Sequence, residues 1–210
     1  MSELGPLVLK IGGGLLQAQG VEGLRRACAE ATQISSRRPV LVVPGGGPFA
    51  DAVRALDAQI GLADDVAHAL ALGAMDQLGV LLRPLLPAAD LLARLIPPSS
   101  LGLVLAAAAF RDRPEVPESW AVTSDSLAVL AAAAIGAEEA ILLKPVAGVL
   151  AQWPSKSLPL PALTAGELEA LQARGGGQVV DAYLPTAVRQ TGVAVVVRAP
   201  DETGTRITPD

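Results

Sequence analysis

LVLKIGGG, at residues 7–14, is an apolar run that ends in three consecutive glycines. It predicts a buried β-strand, Leu7–Ile11, that leads into a loop of a size that suits a phosphate group. LVVPGGGPFADAVR, at residues 41–54, repeats the pattern: a strand over 40–43 precedes three more glycines and a helix from about Phe49. Ligands bind beyond the carboxyl ends of parallel strands. The two triple glycines are therefore expected to form two backbone cradles at one edge of a sheet.

The rest of the chain alternates between helical periodicity and short apolar runs. Helices are expected over residues 21–35, 63–82, 124–135, 164–175 and 181–191, and further strands over 91–96, 103–107, 140–143 and 193–198. Residues 111–120 and the proline-rich residues 152–161 are expected to be irregular. Strands that are apolar on both faces and alternate with helices imply a mostly parallel open sheet. The predicted fold class is therefore α/β, a three-layer αβα sandwich.

Composition limits the kinds of protein that this chain can be. It has 210 residues, 51% of them apolar and 18% charged, and a net charge of −5. This length suits a single domain, 1–210, and the charge argues against a nucleic-acid partner. Prolines and serines break the longest charge-free apolar stretch before it reaches the roughly 20 residues of a membrane span, and the amino terminus does not resemble a secretory signal. Cys28, the one cysteine, cannot form an internal disulfide, so we expect a cytoplasmic protein with no membrane partner.

Lysine is rare in this sequence, and its positions are informative. Only three of the 16 basic residues are lysines: Lys10, Lys144 and Lys156. Lys10 lies inside the first strand, so it either reaches solvent from an edge strand or reaches forward to a phosphoryl group. Lys144 ends the strand over 140–143 at the same predicted edge. Asp125, in the first turn of a predicted helix, either stabilises that helix or holds the two lysines in place.

Other ligand-binding patterns fit the sequence less well. Gly45, Gly47 and Ala50 match the GxGxxA spacing of dinucleotide-binding loops, but no acidic residue ends a second strand about 20 residues later. The GxxxxGK(S/T) pattern of the P-loop does not occur in the sequence. His68, the only histidine, has no cysteine or second histidine to join it as a metal ligand. No metal site built from protein side chains is therefore expected.

Seven segments resemble the amino acid kinase superfamily, in particular its archaeal and methylotroph branch of small kinases related to aspartokinase. They are VLKIGGGLL (8–16), LVVPGGGPFADAVR (41–54), AHALALGAMDQLG (67–79), PESWAVTSDSLAVLAA (117–132), ILLKPVAGVL (141–150), VVDAYLP (179–185) and GTRI (204–207). The triple glycines identify the superfamily, and the third and fourth segments indicate the branch. The resemblance extends over nearly the whole chain.

The resemblance implies an enzyme that transfers the γ-phosphoryl group of ATP, with Mg²⁺, to a small acceptor. The branch implies a phosphorylated acceptor, aminomethylfuran-methyl phosphate of methanofuran-type coenzyme synthesis. Isopentenyl phosphate, acetylglutamate and UMP are the alternatives within the family. An acceptor-binding lobe is expected over about 1–120 and a nucleotide-binding lobe over about 121–210, in a homodimer or a higher homo-oligomer.

The site residues that the resemblance implies fall into three sets. The catalytic set is Lys10, Asp125 and Lys144, in which the aspartate would organise the lysines and Lys144 would face the nucleotide. The phosphate-binding set would hold the transferring group at the first loop and the acceptor at the second: Gly12, Gly13, Gly14, Gly45, Gly46 and Gly47. The residues expected to line the acceptor pocket are His68, Thr123 and Ser124.

Three positions depart from the pattern of the superfamily. Gly14 stands where serine is usual, Ala147 where aspartate is common, and Ala182 where related chains often carry lysine. These departures motivate a second hypothesis, a non-catalytic nucleotide-binding or regulatory subunit. ATP binding without turnover of any phosphorylated acceptor would distinguish such a subunit from a kinase.

Overall fold

The computed structural model describes residues 4–152 and 158–210, and eight strands and seven α-helices lie in those ranges. The strands are β1 (Leu7–Ile11), β2 (Val40–Pro44), β3 (Asp90–Leu92), β4 (Leu101–Val104), β5 (Glu139–Leu143), β6 (Ala162–Thr164), β7 (Ala194–Arg198) and β8 (Thr205–Thr208). The helices are α1 (Gly13–Ser35), α2 (Gly47–Ile60), α3 (Asp64–Leu82), α4 (Ala106–Phe110), α5 (Ser124–Ala134), α6 (Ala165–Ala173) and α7 (Leu184–Thr191). Lys156 and the middle of the proline-rich stretch over 152–161 lie outside the described residues.

The eight strands form one sheet in the order β3-β4-β2-β1-β5-β7-β8-β6. All described pairings are parallel except that of β7 with β8. Strand β1 lies inside the sheet, paired with β2 on one side and with β5 on the other. The carboxyl ends of β1, β2 and β5 therefore meet at one edge, as the sequence predicts.

Helices cover both faces of the sheet, and strand β1 shows why. Successive side chains of a strand point to opposite faces. Leu9 is buried in one core with Leu24 of α1, whereas Val8 is buried in the other core with Val129 of α5. Helices α6 and α7 contribute to the same core as α5. The predicted α/β class and three-layer αβα sandwich are confirmed.

Helix α1 begins at Gly13, directly after β1, and not at residue 21 as the sequence pattern predicts. Glycine disfavours helix interiors, so the glycines are expected to form a loop. In the structure, Gly13 and Gly14 form the first helical turn, and Gly12 alone connects it to the strand. The helix bends at Gly20, where φ is 62° and ψ is −157°. A residue with a side chain would be strained in this conformation, and glycine is not. The first triple glycine is therefore a helix start and not an open loop.

The elements around residue 100 also differ from the prediction. The strands expected over 91–96 and 103–107 are Asp90–Leu92 and Leu101–Val104. Residues after the second of these form helix α4, because the carboxylate of Asp76 accepts the N–H groups of Ala106 at 2.5 Å and Ala107 at 3.2 Å. The prediction missed this long-range cap, since the two partners are 30 residues apart in sequence.

The final third of the chain contains two strands that the sequence pattern did not reveal. Strands β6 and β8 are only three and four residues long, and they pair with each other at the edge of the sheet. Helix α7 begins at Leu184 and not at residue 181. Residues 111–120 contain no helix or strand, as predicted.

Helix α3 and the short 3₁₀ turn after it, Asp64–Leu85, are long and apolar enough to cross a membrane by length and composition. The helix nevertheless contributes to both cores of the sandwich. Leu72 and Met75 are buried in the core beside α5, and Leu78 and Leu82 in the core beside α1. This segment therefore has the contacts of a core helix.

Candidate active site

The two glycine bends pack directly on each other at the carboxyl ends of β1 and β2. A Cβ atom on Gly13 would lie 2.1 Å from the Cα of Gly47, and one on Gly45 would lie 2.9 Å from the nitrogen of Gly13. Gly47 also has a φ of 54°, a value that L side chains rarely adopt. Backbone contacts backbone here, so a side chain at Gly13, Gly45 or Gly47 would force the two bends apart.

Two of the six glycines have N–H groups that are already bonded. Gly12 donates to the carbonyl oxygen of Leu143 at 3.1 Å, and Gly45 donates to that of Ile11 at 2.9 Å. These hydrogen bonds join Gly12 and Gly45 to the ends of neighbouring strands. That these two glycines bind phosphate stays a prediction.

The other four glycines form the amino-terminal ends of two helices. Gly13 and Gly14 begin α1, and Gly46 and Gly47 begin α2. N–H groups in a first helical turn have no partner within the helix, and the helix dipole makes this end positive. Two such ends in contact form a cradle for an anion.

A buried carboxylate joins the two lysines. Lys10 Nζ lies 2.8 Å from Asp125 Oδ1, and Lys144 Nζ lies 2.7 Å from Asp125 Oδ2. Lys10 is 5% exposed and Asp125 is 3% exposed, so the alternative of a solvent-facing edge lysine is wrong. The three side chains come from β1, from the first turn of α5 and from the residue after β5. The pairing of β1 with β5 and the packing of α5 on β1 bring them together.

Mutual attraction determines the charge state of this cluster. Burial alone would raise the pKa of Asp125, but the two ammonium groups outweigh it and lower the pKa to about 2. Burial lowers the pKa of Lys10, and the charge of Asp125 opposes that decrease. Ionised Asp125 therefore stabilises the folded state above about pH 4, and this contribution is lost as the pH falls towards 2. Near neutral pH the cluster therefore presents an ionised carboxylate between two lysine side chains.

Asp181 holds the helix end that carries Asp125. Its Oδ2 accepts hydrogen bonds from the N and Oγ1 of Thr123, both at 2.8 Å, and from the N of Ser126 at 3.0 Å. Its Oδ1 accepts from the Oγ of Ser126 at 2.5 Å. Burial raises the pKa of Asp181, and the negative charge of Asp125 adds to the increase. The sequence pattern placed Asp181 at a helix start and did not reveal this role, which its place in the VVDAYLP segment could have suggested.

Replacement of Asp181 by asparagine is expected to disturb both stability and catalysis. The asparagine would place its NH₂ group against N–H and O–H donors of Thr123 and Ser126, which now donate to the carboxylate. The lost hydrogen bonds cost about 1–3 kcal/mol of unfolding free energy. Displacement of Asp125 should lower kcat by about 10- to 100-fold. Urea unfolding and steady-state kinetics measure the two effects. Asp65→Asn, at an exposed site on α3, is the control, and a variant Asp181→Asn that matches it would contradict the role.

Two cavities meet at the lysine pair. The first, of about 260 Å³, lies between the glycine bends and helices α2 and α3, and we call it the α2 cavity. The second, of about 240 Å³, we call the Gln178 cavity. Among the residues that line this cavity but not the α2 cavity are Pro145, Val146, Gln178 and Val179. Lys10, Gly14 and Lys144 line both cavities. A group bound between the lysines can therefore reach ligands in either cavity.

The three residues predicted to line an acceptor pocket all line the α2 cavity: His68, Thr123 and Ser124. The hydroxyl of Thr123 donates to Asp181, so it orders the start of α5. Burial lowers the pKa of His68, although the charge of Glu118 opposes the decrease. The neutral imidazole is thus favoured near neutral pH. That these residues bind an acceptor stays a prediction.

Four polar side chains of the α2 cavity were not predicted from the sequence: Gln17, Asp51, Arg54 and Trp120. Asp51 Oδ2 accepts from Gln17 Nε2 at 2.6 Å, and Asp51 Oδ1 lies 3.0 Å from Arg54 Nη1. The guanidinium carbon of Arg54 lies 4.8 Å from the centre of the Trp120 ring. Asp51 and Arg54 are three residues apart on the helix that follows the second triple glycine, a spacing that places them side by side. That spacing is the sequence signal from which Asp51 and Arg54 could have been identified as neighbours.

The described side chains do not form a ligand set for Mg²⁺. Within residues 4–152 and 158–210, no three carboxylate, histidine or cysteine side chains converge on a common point. Both oxygens of Asp125 face ammonium groups, and the carboxylate of Asp181 takes four hydrogen bonds. These carboxylates are committed to partners in the protein.

An anion cradle beside two lysines, one buried and one partly buried, at the edge of a parallel αβα sheet, provides what phosphoryl transfer needs: positioning and charge compensation. These features define a phosphotransferase. The model of the amino acid kinase family matches residues 5–199, so the chain belongs to the amino acid kinase family.

The individual proteins that this chain resembles are named as kinases. The chain is 26% identical over 188 residues to the (5-(aminomethyl)furan-3-yl)methyl phosphate kinase of Methanocaldococcus jannaschii. The aligned region covers 87% of this chain and 82% of that protein. A uridylate kinase from Archaeoglobus fulgidus is similar in fold, with a TM-score of 0.73 and 20% identity over 96% of this chain and 99% of that one. An aspartate kinase from Synechocystis gives a TM-score of 0.75 at 20% identity over 98% of this chain. Our chain spans 40% of that aspartate kinase.

Proposed function

We propose that this kinase transfers the γ-phosphoryl group of ATP to the phosphate of a small acceptor, (5-(aminomethyl)furan-3-yl)methyl phosphate, to form a diphosphate. The observation that carries the proposal is that Lys10, Gly14 and Lys144 line both cavities. ATP would occupy the Gln178 cavity and the acceptor would occupy the α2 cavity. Transfer would take place where the two cavities join.

The residues at this junction suit an in-line transfer between two phosphates. Lys10 and Lys144 would compensate the charge that spreads over the moving group, and Asp125 would keep their ammonium groups in place. The helix ends at Gly13 and Gly46 would add N–H donors on the acceptor side. A phosphate oxygen is already a nucleophile near neutral pH, so a general base is not needed.

Magnesium would enter this site with the nucleotide. Mg²⁺ keeps several waters and binds nucleotide phosphates more readily than all-protein cages. The described carboxylates near the lysines have protein partners, which supports a metal ion held by ATP oxygens and water. No step assigned above to the chain depends on a protein ligand for the metal.

Two observations support the furan acceptor. The acceptor named for the Methanocaldococcus jannaschii relative is a small phosphomonoester with an aromatic ring and an amine. The α2 cavity, at about 260 Å³, lies just below the ~300–1,000 Å³ of typical ligand pockets. Apolar side chains that could contact a ring line it, including Leu72, Met75 and Val122. Apolar side chains beside the lysines and the glycines therefore suit an acceptor that carries both a ring and a phosphate.

Steady-state kinetics with a panel of acceptors tests the proposal. Purified protein, ATP and Mg²⁺ would be combined with the furan phosphate, isopentenyl phosphate, UMP or acetylglutamate. The furan phosphate is expected to give the highest kcat/KM. A higher value for another acceptor would replace the proposed substrate. ATP binding without turnover of any acceptor would contradict the proposal.

We also propose an acceptor-binding lobe over about 1–120, a nucleotide-binding lobe over about 121–210, a homo-oligomeric state and a cytoplasmic location. Oligomerisation is supported by exposed apolar side chains on α2 and α3, namely Leu56, Ile60, Val66 and Leu70. The free, buried thiol of Cys28 agrees with a reducing compartment. Analytical ultracentrifugation and cell fractionation test these two assignments.

A further inference from the structure

The α2 cavity has an uneven distribution of charge. At its inner end Lys10 and Lys144 surround Asp125, and this end suits phosphate. Of the residues described as lining the cavity, Asp51 is the one carboxylate besides Asp125. Asp125 is 3% exposed and paired with both lysines, whereas the side chain of Asp51 is 53% exposed. Asp51 is therefore the carboxylate that a ligand in this cavity can approach.

Asp51 is held in place and still has capacity to bind. Gln17 donates to Oδ2 at 2.6 Å, and Arg54 donates to Oδ1 at 3.0 Å. A carboxylate has about four acceptor positions, so roughly half remain for a further donor. An ammonium group, with three N–H donors, can use them.

Arg54 does not depend on Asp51 alone for its position. Its guanidinium lies over the ring of Trp120, at 4.8 Å from the ring centre. Trp120 is itself fixed, because its Nε1–H donates to Asp57 Oδ2 at 2.7 Å. An ammonium group at Asp51 can therefore share the carboxylate with Arg54 without displacing it.

From this arrangement we infer that Asp51 is the counter-ion for a cationic amine on the acceptor, and that the enzyme selects phosphomonoesters that carry an ammonium group away from the phosphate. The inference rests on the proposed function, since it places the acceptor in the α2 cavity. The phosphate binds at the end of the cavity that the lysines and glycines line, and the amine binds beside Gln17 of α1 and Asp51 of α2. Asp51 thus determines specificity, and the transfer chemistry remains with the lysines.

The test compares two furan acceptors that differ at one group. One is the aminomethyl furan phosphate, and the other has a hydroxymethyl group in place of the aminomethyl group. Wild-type enzyme is expected to prefer the amine by about 10- to 100-fold in kcat/KM, the contribution of a hydrogen bond to a charged group. Asp51→Asn should remove most of this preference by raising KM for the amine. The kcat for the amine should fall by a smaller factor than its kcat/KM, and the kcat/KM for the hydroxymethyl analogue should fall less than that for the amine.

Matched controls separate a binding role from a structural one. Asp65→Asn removes one negative charge from an exposed site outside the cavity and should keep the preference for the amine. A merely structural Asp51 would lower activity with both furan acceptors equally. That outcome, or an unchanged preference in Asp51→Asn, would overturn the inference.

Binding measurements test the amine subsite at Asp51 even if the true acceptor is not the furan phosphate. Calorimetric affinities for aminobutyl phosphate and butyl phosphate would be compared in wild type and Asp51→Asn. Loss of selectivity for the amine in the variant supports the subsite, whereas equal affinities in the wild type overturn it. Absence of turnover with both furans would overturn the proposed acceptor, and the affinities would still decide whether Asp51 binds an amine.

Discussion

Lys10→Met is expected to lower kcat by at least about 10²–10³-fold, the loss that follows removal of one donor to a transition-state oxyanion. Methionine keeps the length of the side chain and removes its charge. The Nζ atom that it deletes lies 2.8 Å from Asp125 and lines both cavities. Because the interaction strengthens with charge on the transferring group, the loss should fall on kcat more than on KM for ATP. Single-turnover transfer from labelled ATP measures it.

The control for Lys10→Met removes a cation from the other end of the molecule. Arg206 pairs with Glu139 at 2.5 Å, its side chain is 52% exposed, and it lines neither cavity. Arg206→Met should therefore keep wild-type turnover. Circular dichroism would confirm that both variants are folded. If Lys10→Met turned over at the rate of Arg206→Met, Lys10 would have no part in transfer.

Gly13→Ala is expected to destabilise the fold by about 3 kcal/mol or more, at the upper end of overpacking costs. The new methyl carbon would lie 2.1 Å from the Cα of Gly47 and 2.4 Å from its nitrogen. Main-chain atoms cannot rotate away as a side chain can, so the two glycine bends would have to separate. Chemical unfolding measures the loss, and activity should fall with it because the separation opens the anion cradle.

Gly14→Ala provides a closely matched control, since it makes the same substitution at the next residue. The nearest atom to its new methyl carbon would be Pro145 Cδ at 3.5 Å, an ordinary contact. This variant should unfold at nearly the wild-type denaturant concentration. Equal stability of Gly13→Ala and Gly14→Ala would show that the bends do not pack as closely as described.

The central part of the fold was predictable because its signals are local. Strand β1 matches its predicted bounds, and β2, α3 and α5 match theirs within a residue. Each is a continuous apolar run or a helical stretch with a recognisable start. The predictions were wrong where distant contacts decide the structure. Helix α4 depends on a cap from Asp76, and β8 forms only by pairing with β6 and β7.

The residues of the site likewise divide into those with a local sequence signal and those placed by distant contacts. The scarcity of lysine, with one lysine inside a predicted strand and one directly after another, identified Lys10 and Lys144, and both contact Asp125 in the structure. Asp181 was missed because it acts on a helix 55 residues earlier in the chain, at Ser126. The ring that holds Arg54 belongs to the irregular segment before α5, where periodicity provides no information. Which of these residues bind substrate stays a prediction until the variants are measured.

The interior position of β1 has a consequence for biosynthesis. Strands β1 and β2 leave the ribosome well before β5, the strand that completes the other edge of β1, because β2 ends at Pro44 and β5 begins only at Glu139. Until then the nascent chain carries a strand with an unpaired edge, a form prone to aggregation and a natural client for chaperones. Lys144 follows β5, so the lysine pair around Asp125 is also incomplete during that interval. A truncated product that stops before β5 lacks Lys144 as well as the second partner of β1, and it is expected to be inactive.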